Sequence, residues 1–278
     1  MKFKGANPLT KMFLFYCRNI GEHPAKRRVI NYIHKVLRNQ VKVKGPNGTV
    51  LQLVPRDYIS AQILFNGCYE PLSLKLAIEL LKDADGCFLD VGANIGLFSN
   101  VVAASYPGLQ IICIEPEEGN FKLLNKNLEQ NTPNRATTLN IAVGEFARLI
   151  QLERPVENNN GTFRVVIDEK DLKENGRYLP MFDLKTLLQE LHIGKVRLMK
   201  IDIEGHEMEA FKGLDWSNTN KPENIIMEYS EYVGRTGVTA DDVFNYLLER
   251  GYKAYSIERK PYLKGDHLPE DNLWLALS

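Results

Sequence analysis

The residues best able to do chemistry lie at the ends of apolar runs. Cys87-Phe88-Leu89 leads into Asp90-Val91-Gly92-Ala93-Asn94-Ile95-Gly96, and a helical stretch follows from Leu97. A strand, a glycine turn and a helix in that order let the backbone approach a ligand closely. The spacing is G-x-x-x-G rather than G-x-G-x-x-G, and a carboxylate at Asp90 would oppose a pyrophosphate seated on the helix N-terminus. Asp90 suits a cation instead, and S-adenosylmethionine carries a sulfonium and an ammonium with no phosphate. The next apolar run ends at Glu115, 25 residues after Asp90, where a carboxylate can accept hydrogen bonds from both hydroxyls of a ribose. Asp90, Gly92, Ala93, Asn94, Gly96 and Glu115 are therefore the expected cofactor residues, with Asn140 on the adenine side.

The run Val196 to Ile201 ends at Asp202, and Glu204 and His206 follow. Ligands of doubly wound sheets sit beyond the carboxyl ends of the strands, so these three are expected at the mouth as the catalytic group. A sulfonium methyl is already activated; transfer needs the acceptor oxygen held in line at about 3 to 3.5 Å and somewhere for its proton to go. Plainer roles stand beside this one. His206 has the titration range for the task, yet a structural or substrate contact explains it as well, and either acid could cap the helix that starts near His206. A divalent cation held by Asp202, Glu204 and Glu228 is a less favoured alternative, so no metal ligands are assigned.

The elements that must position these groups are legible in the hydrophobic pattern. Apolar runs at 87 to 91, 109 to 114, 137 to 143, 196 to 201 and 224 to 229 alternate with helical stretches at about 97 to 105, 118 to 130, 183 to 191, 206 to 213 and 240 to 250. Unbroken apolar strands alternating with helices imply a parallel sheet covered on both faces. Thr239 and Asp242 form a capping box at the start of the last helix, and Gly251 stops it. Tyr252 to Ile257 and Leu273 to Leu277 have no helix between them and must pair antiparallel at one edge. Val41 to Val43 and Val50 to Val54 flank Gly45-Pro46-Asn47-Gly48 and predict a hairpin. Residues from about 153 to 180 break the alternation and predict an inserted hairpin and surface loop.

Taken together, Asp90-Val91-Gly92-Ala93-Asn94-Ile95-Gly96, Glu115-Pro116 and Met199-Lys200-Ile201-Asp202-Ile203-Glu204-Gly205-His206-Glu207 resemble the FkbM family of S-adenosylmethionine-dependent methyltransferases. Gly67-Cys68-Tyr69-Glu70, Asn120-Phe121 with Leu124 and Asn127, and Asn140-Ile141-Ala142 are similar to residues of that family, so the resemblance spans about 58 to 230. It implies an α/β, class I methyltransferase (Rossmann-like) fold: a mostly parallel twisted sheet with an antiparallel edge strand and helices on both faces, here joined to an N-terminal helical arm and hairpin. It further implies O-methylation of a hydroxyl on a sugar, polyketide or other natural product. Two other functions stay open: a nicotinamide-dependent oxidoreductase, which the missing third glycine and Asp90 oppose, and a non-catalytic cofactor-binding or docking protein.

Composition bounds the rest. The chain has 278 residues, 35 Lys or Arg against 35 Asp or Glu, and 44% hydrophobic residues, which is ordinary globular usage. Residues 1 to 44 nonetheless hold eleven Lys or Arg against Glu22 alone, a net charge of +10, while 45 to 278 form the methyltransferase domain. Asn7 and Pro8 open a helix whose expected apolar face is Leu9, Met12, Phe13, Tyr16 and Cys17, and a second helix near Pro24 sets Val29, Ile30, Ile33, Val36 and Leu37 together. Packing of this arm on the acidic body, of its own chain or of a partner in a homodimer, is favoured over docking on a membrane surface. The expected partner is a small-molecule or glycan acceptor. Nucleic acid is not expected, because the basic excess lies in the arm and not around the crevice. Cys17, Cys68, Cys87 and Cys113 lack metal or disulfide spacing, and no signal or membrane-spanning run is present, so the reading places the chain in the cytoplasm.

Overall fold

The structure, a computed structural model, describes residues 8–19, 28–30, 32, 40–55, 57–153, 164–166, 172–217, 221–229 and 237–278. The elements that build the body begin with α1 (Pro8–Asn19), the hairpin β1 (Val41–Lys44) and β2 (Val50–Leu53), and the helices α2 (Tyr58–Asn66) and α3 (Pro71–Leu80). The alternating core follows: β3 (Cys87–Val91), α4 (Leu97–Ser105), β4 (Gln110–Ile114), α5 (Glu118–Asn131) and β5 (Thr137–Leu139). Next come β6 (Ala142–Val143), β7 (Arg148–Glu153), β8 (Arg164–Val165) and β9 (Tyr178–Phe182). The chain continues through α6 (Leu184–Glu190), β10 (Val196–Ile201), α7 (Glu207–Lys212), β11 (Asn224–Glu228), α8 (Ala240–Leu248), β12 (Tyr252–Ser256) and β13 (Asn272–Leu277).

Seven strands form the main sheet in the order β12-β13-β11-β10-β3-β4-β5. From β11 to β5 all neighbours are parallel, and β13 runs antiparallel to both β11 and β12. The two final strands pair antiparallel as the sequence requires, with the reversed strand seated one place inside the edge that β12 occupies. Because a strand alternates its side chains between faces, each strand feeds two cores. Phe88, Cys113, Leu198 and Ile226 pack on the side that carries α1 to α5, whereas Leu89, Ile112, Met199 and Ile225 pack on the side that carries α6 to α8. The capping box at Thr239 and Asp242 is formed as read.

Three expectations change. The apolar run at 137 to 143 is not one strand: β5 ends at Leu139, and β6 leaves the main sheet to pair with β9. Asn140 lies at the break, its amide donating to the carbonyls of Glu115 and Pro116 at 2.9 and 3.0 Å, which pins the chain there. The insertion starts earlier than 153, since β7 already belongs to a second, four-stranded sheet of order β6-β9-β7-β8. The third change concerns one residue of α1. Among its described side chains the expected Cys17 is buried together with Leu14 and the expected Tyr16 is partly covered, while Met12, expected on the same face, is 56% exposed; the side chains of Leu9 and Phe13 lie outside the described residues. The charged arm thus contributes an apolar seat to the body through α1, and Val29 and Ile30 also pack there. The cap expected at Asn7 and most of the second helix lie outside the described residues.

All four cysteines are free thiols. No helix among the described residues is long and apolar enough to cross a membrane. Removing residues 1 to 19 is expected to uncover the core around Leu14 and Cys17 and to lower the thermal unfolding midpoint, with aggregation on concentration. An unchanged midpoint in the truncated protein would show that α1 is dispensable to the body.

Candidate active site

Every predicted site residue except His206 belongs to the C-terminal edge of the main sheet or its loops. The register explains why. Asp90 stands beside Lys200 across β3 and β10, Lys200 beside Ile226 across β10 and β11, and Glu228 beside Asn272 across β11 and β13. All are on the face that packs against α1 to α5. Asp202, two residues after Lys200, continues the same side one step beyond the strand. The result is a polar patch from four adjacent strands, with Glu70 brought over it by the turn that starts α3.

The glycine turn between β3 and α4 is held by backbone. The amides of Gly92 and Ala93 both donate to Ile114 O at 2.9 Å, and the Asp202 amide donates to Val91 O at 3.0 Å. Gly92 has φ +80°, and a Cβ built on it would fall inside the Asp202 carbonyl, so no other residue fits between β3 and the exit of β10. Gly96 also has φ +80°, and a Cβ there would press on Leu124 Cδ1 at 2.5 Å, so this glycine lets α4 and α5 approach. Side-chain amides brace the turn from outside. Asn127 donates to Ile95 O at 2.9 Å and accepts from the Gln52 amide at 2.7 Å, which ties the turn to the β1–β2 hairpin. Asn100 donates to Gly96 O at 2.7 Å and accepts from Asn131. Asn127 was visible in the sequence only as part of a resemblance; its role as a brace was not.

Glu115 closes the cofactor side. Its two oxygens accept from the backbone amides of Asn94 at 2.8 Å and Glu117 at 2.9 Å, leaving further lone pairs for a ribose diol. Burial pushes its carboxyl up to about 8 against those hydrogen bonds. Asn94, with φ 49°, folds its own side chain onto the Ile95 amide. Asn140 supports the Glu115-Pro116 backbone. Asp90 is more deeply set than the sequence reading supposed. It is 2% exposed, accepts from Ser99 Oγ, and faces Lys200, and burial raises it to about 6.

On the reaction side, Asp202, Glu204 and Glu228 come together. Burial, together with the charges of Asp202 and Glu204, raises Glu228 to about 9. Glu204 sits in the left-handed region at φ 57°, in a loop that Glu207 fixes by accepting the Ile203 and Gly205 amides at 3.0 and 3.4 Å. His206 departs from the group. Its ring is 5% exposed, a Cβ on Gly144 would stand 3.2 Å from its Nε2, and Glu209 Oε2 is 3.8 Å from its Nδ1. Burial, with the Arg148 guanidinium, lowers its pKa to about 4, so the ring is neutral at ordinary pH. Among the described residues no three His, Cys, Asp or Glu side chains are grouped to hold a metal ion.

The sequence pattern does not single out Lys200, the one cation of this patch among the described residues. It lies in an apolar strand whose two faces are both buried, and that placement was the available signal. Its side chain is 5% exposed, with Nζ 3.5 Å from Glu70 Oε2 and 3.4 Å from Asp202 Oδ2. Left-handed backbone recurs at the same edge, where Glu70, Asn94, Glu204, Glu270 and Asp271 all have φ between 44° and 60°, as it does at Asp83, Asn134 and His192 near the amino ends of the strands. Glu270 uses its carboxylate to accept from the Leu72 and Ser73 amides at 2.8 and 2.9 Å, docking the loop before β13 onto the start of α3.

A model of the methyltransferase FkbM domain matches residues 90–254, more than half of the chain. The chain belongs to the FkbM methyltransferase family. Its similarity extends to Methyltransferase 1 of Beauveria bassiana, 24% identical over 229 residues that cover 76% of this chain and 86% of that protein. The hexuronic acid methyltransferase AglP of Haloferax volcanii is 26% identical over 176 residues, covering 63% of this chain and 66% of that one. A solved O-methyltransferase of Bacillus cereus in complex with SAH aligns over 96% of both chains with a TM-score of 0.42 and 11% identity. The sheet described above is the class I methyltransferase fold, and the FkbM match begins at Asp90 and runs through the glycine turn, Glu115 and the Asp202 mouth.

The two turn glycines should differ in tolerance. Gly92→Ala meets a backbone carbonyl and is expected to cost more than about 3 kcal/mol, beyond ordinary overpacking, whereas Gly96→Ala meets a movable Leu124 methyl group and should cost about 1 to 3 kcal/mol. Equal unfolding midpoints for the two variants would contradict the close approach at Gly92.

Proposed function

We propose that this methyltransferase uses S-adenosylmethionine and methylates a hydroxyl oxygen of a small molecule or glycan. The observation that carries the reading is the crevice itself: a turn with no room for a Cβ at Gly92, a buried carboxyl at Glu115 on one side, and a mouth of acids at Asp202, Glu204 and Glu228 on the other. When bound, S-adenosylmethionine supplies an electrophilic methyl group on a sulfonium.

The chain's own residues do the rest. Glu115 accepts hydrogen bonds from the ribose hydroxyls, and the backbone of Gly92 to Gly96 lines the cofactor beside Asp90. At the mouth, side chains that chiefly accept hydrogen bonds favour an acceptor rich in hydroxyl donors over a phosphorylated one, since an anion would meet the charges of Asp202 and Glu204. Asp202, beside Lys200, is the group assigned to take the hydroxyl proton. Glu228, raised to about 9, holds its own proton near neutral pH and can donate a hydrogen bond to the acceptor. His206 packs behind this mouth and is assigned no proton transfer. The cytoplasm is the compartment proposed, where the free thiols would remain reduced.

Three measurements test this reading. Glu115→Ala should weaken S-adenosylhomocysteine binding by about 1.5 to 3 kcal/mol, the range for hydrogen bonds to a charged group; unchanged affinity in calorimetry would remove Glu115 from the cofactor site. The ionised carboxyl binds the diol, so affinity should rise with pH through about 8. With 5′-methylthioadenosine, which has the ribose but no amino acid to titrate, affinity should improve about tenfold between pH 7 and 9, and a flat profile in wild type would contradict the assignment. For the mouth, a metabolite screen with labelled S-adenosylmethionine identifies the acceptor. Asp202→Asn and Glu204→Gln should then lower turnover while cofactor affinity stays within a few fold. Loss of cofactor binding in both would place these acids in the methionine pocket instead.

A further inference from the structure

Lys200 is unusual among the charged groups of the chain. It projects from β10, the strand next to β3 at the heart of the sheet, into the face that otherwise holds Phe88, Leu198 and Ile226. Phe98 of α4 places its ring 5.4 Å from the ammonium, so one flank of Nζ is apolar. The other flank holds carboxyls: Glu70 at 3.5 Å and Asp202 at 3.4 Å, with Asp90 and Glu228 also bearing on it. Glu70 is itself buried and reached by the Tyr69 hydroxyl and the Asn272 amide. Taking an ammonium out of water is costly unless its partners are well placed, and here the four carboxyls come from four separate segments of the chain. The carboxyls around it outweigh burial and keep the lysine charged.

We propose that Lys200 is the resident cation of the reaction mouth, a positioning residue that binds both Asp202 and Glu70 and so fixes the proton-accepting carboxylate against the acceptor hydroxyl. The charge that a divalent ion would bring to the acids of this mouth is in this way supplied by a side chain. Lys200 also lies beside Asp90 across β3 and β10, but its ion pairs are with Glu70 and Asp202, and its influence on the acceptor hydroxyl passes through Asp202. Glu70 acts as the second anchor: it holds the same ammonium and couples the turn before α3 to the exit of β10. This inference rests on the methyl-transfer reading for its effect on turnover, but the geometry it claims does not.

The first experiment needs no acceptor. In the full chain labelled with ¹⁵N-lysine, the Lys200 ammonium should give a slowly exchanging Nζ signal that Lys200→Arg removes, and Asp202→Asn and Glu70→Gln should each shift it. A signal indifferent to both substitutions would overturn the proposal. The second uses the acceptor from the labelled-cofactor screen. Lys200→Met leaves Glu70 without a counter-charge and risks the fold, so Lys200→Met/Glu70→Gln is measured beside it. The double variant should lose at least 30-fold in kcat, with KM and S-adenosylhomocysteine affinity within threefold, and Lys200→Arg should recover part of the loss. A kcat within threefold of wild type, or a loss of cofactor affinity as large as the loss of kcat, would overturn the positioning role. If wild type itself fails to bind S-adenosylhomocysteine, the methyl-transfer reading fails, and the ammonium signal still decides whether Lys200 binds the two acids.

Discussion

The closeness of Gly92 to the Asp202 carbonyl is the constraint on which the active site depends. Strands β3 and β10 continue their ladder one residue past their ends, through the hydrogen bond from Asp202 N to Val91 O, and this draws the exit of β10 over the glycine turn. Only a residue without Cβ permits that approach. Once it is made, Asp90, Lys200 and Asp202 share one side of the sheet within reach of one another, and the glycine turn lies directly against the exit of β10. A wider gap would leave the same residues on separate loops.

What holds the crevice from outside is a set of side-chain amides. Asn127, Asn131, Asn100 and Asn140 each bridge backbone groups or one another, and together they tie the β1–β2 hairpin, α4, α5 and the end of β4 into a collar around the turn. Amides serve well here because each offers both donors and acceptors without charge, so the collar adds no field that would compete with Glu115 or Asp90. The hairpin, which has no direct part in the chemistry, thereby becomes a support for it.

Much of this was legible in the sequence because it follows from period and termini. The parallel strands appear as unbroken apolar runs, α8 announces itself by its capping box, and the glycine turn and Glu115 fall at strand ends. The parts that were not legible depend on contacts distant in the chain. Nothing local marks the break at Asn140, because the carbonyls that hold it belong to residues 115 and 116. On α1 the exposure of Met12 and the burial of Leu14 were not legible, since either fits an apolar stripe with Cys17 and only the surface beneath the helix chooses. Asp90 and His206 were placed by residue type, and burial then gave each a different setting. Lys200 was hidden by the apolar character of its strand, although a lysine facing a core in such a strand must find partners.

The left-handed residues at Glu70, Asn94, Glu204, Glu270 and Asp271 have a consequence for how this protein can change. Glycine at any of them would relieve the backbone, and a search for heat-resistant variants would be drawn to these positions. Four of the five are acids, however, and the loops they shape carry the mouth. Gains in endurance found there would be drawn from the arrangement of the crevice, so robust descendants of this chain should accumulate their changes on the far edge of the sheet, around the amino ends of the strands, where no such compromise is built in.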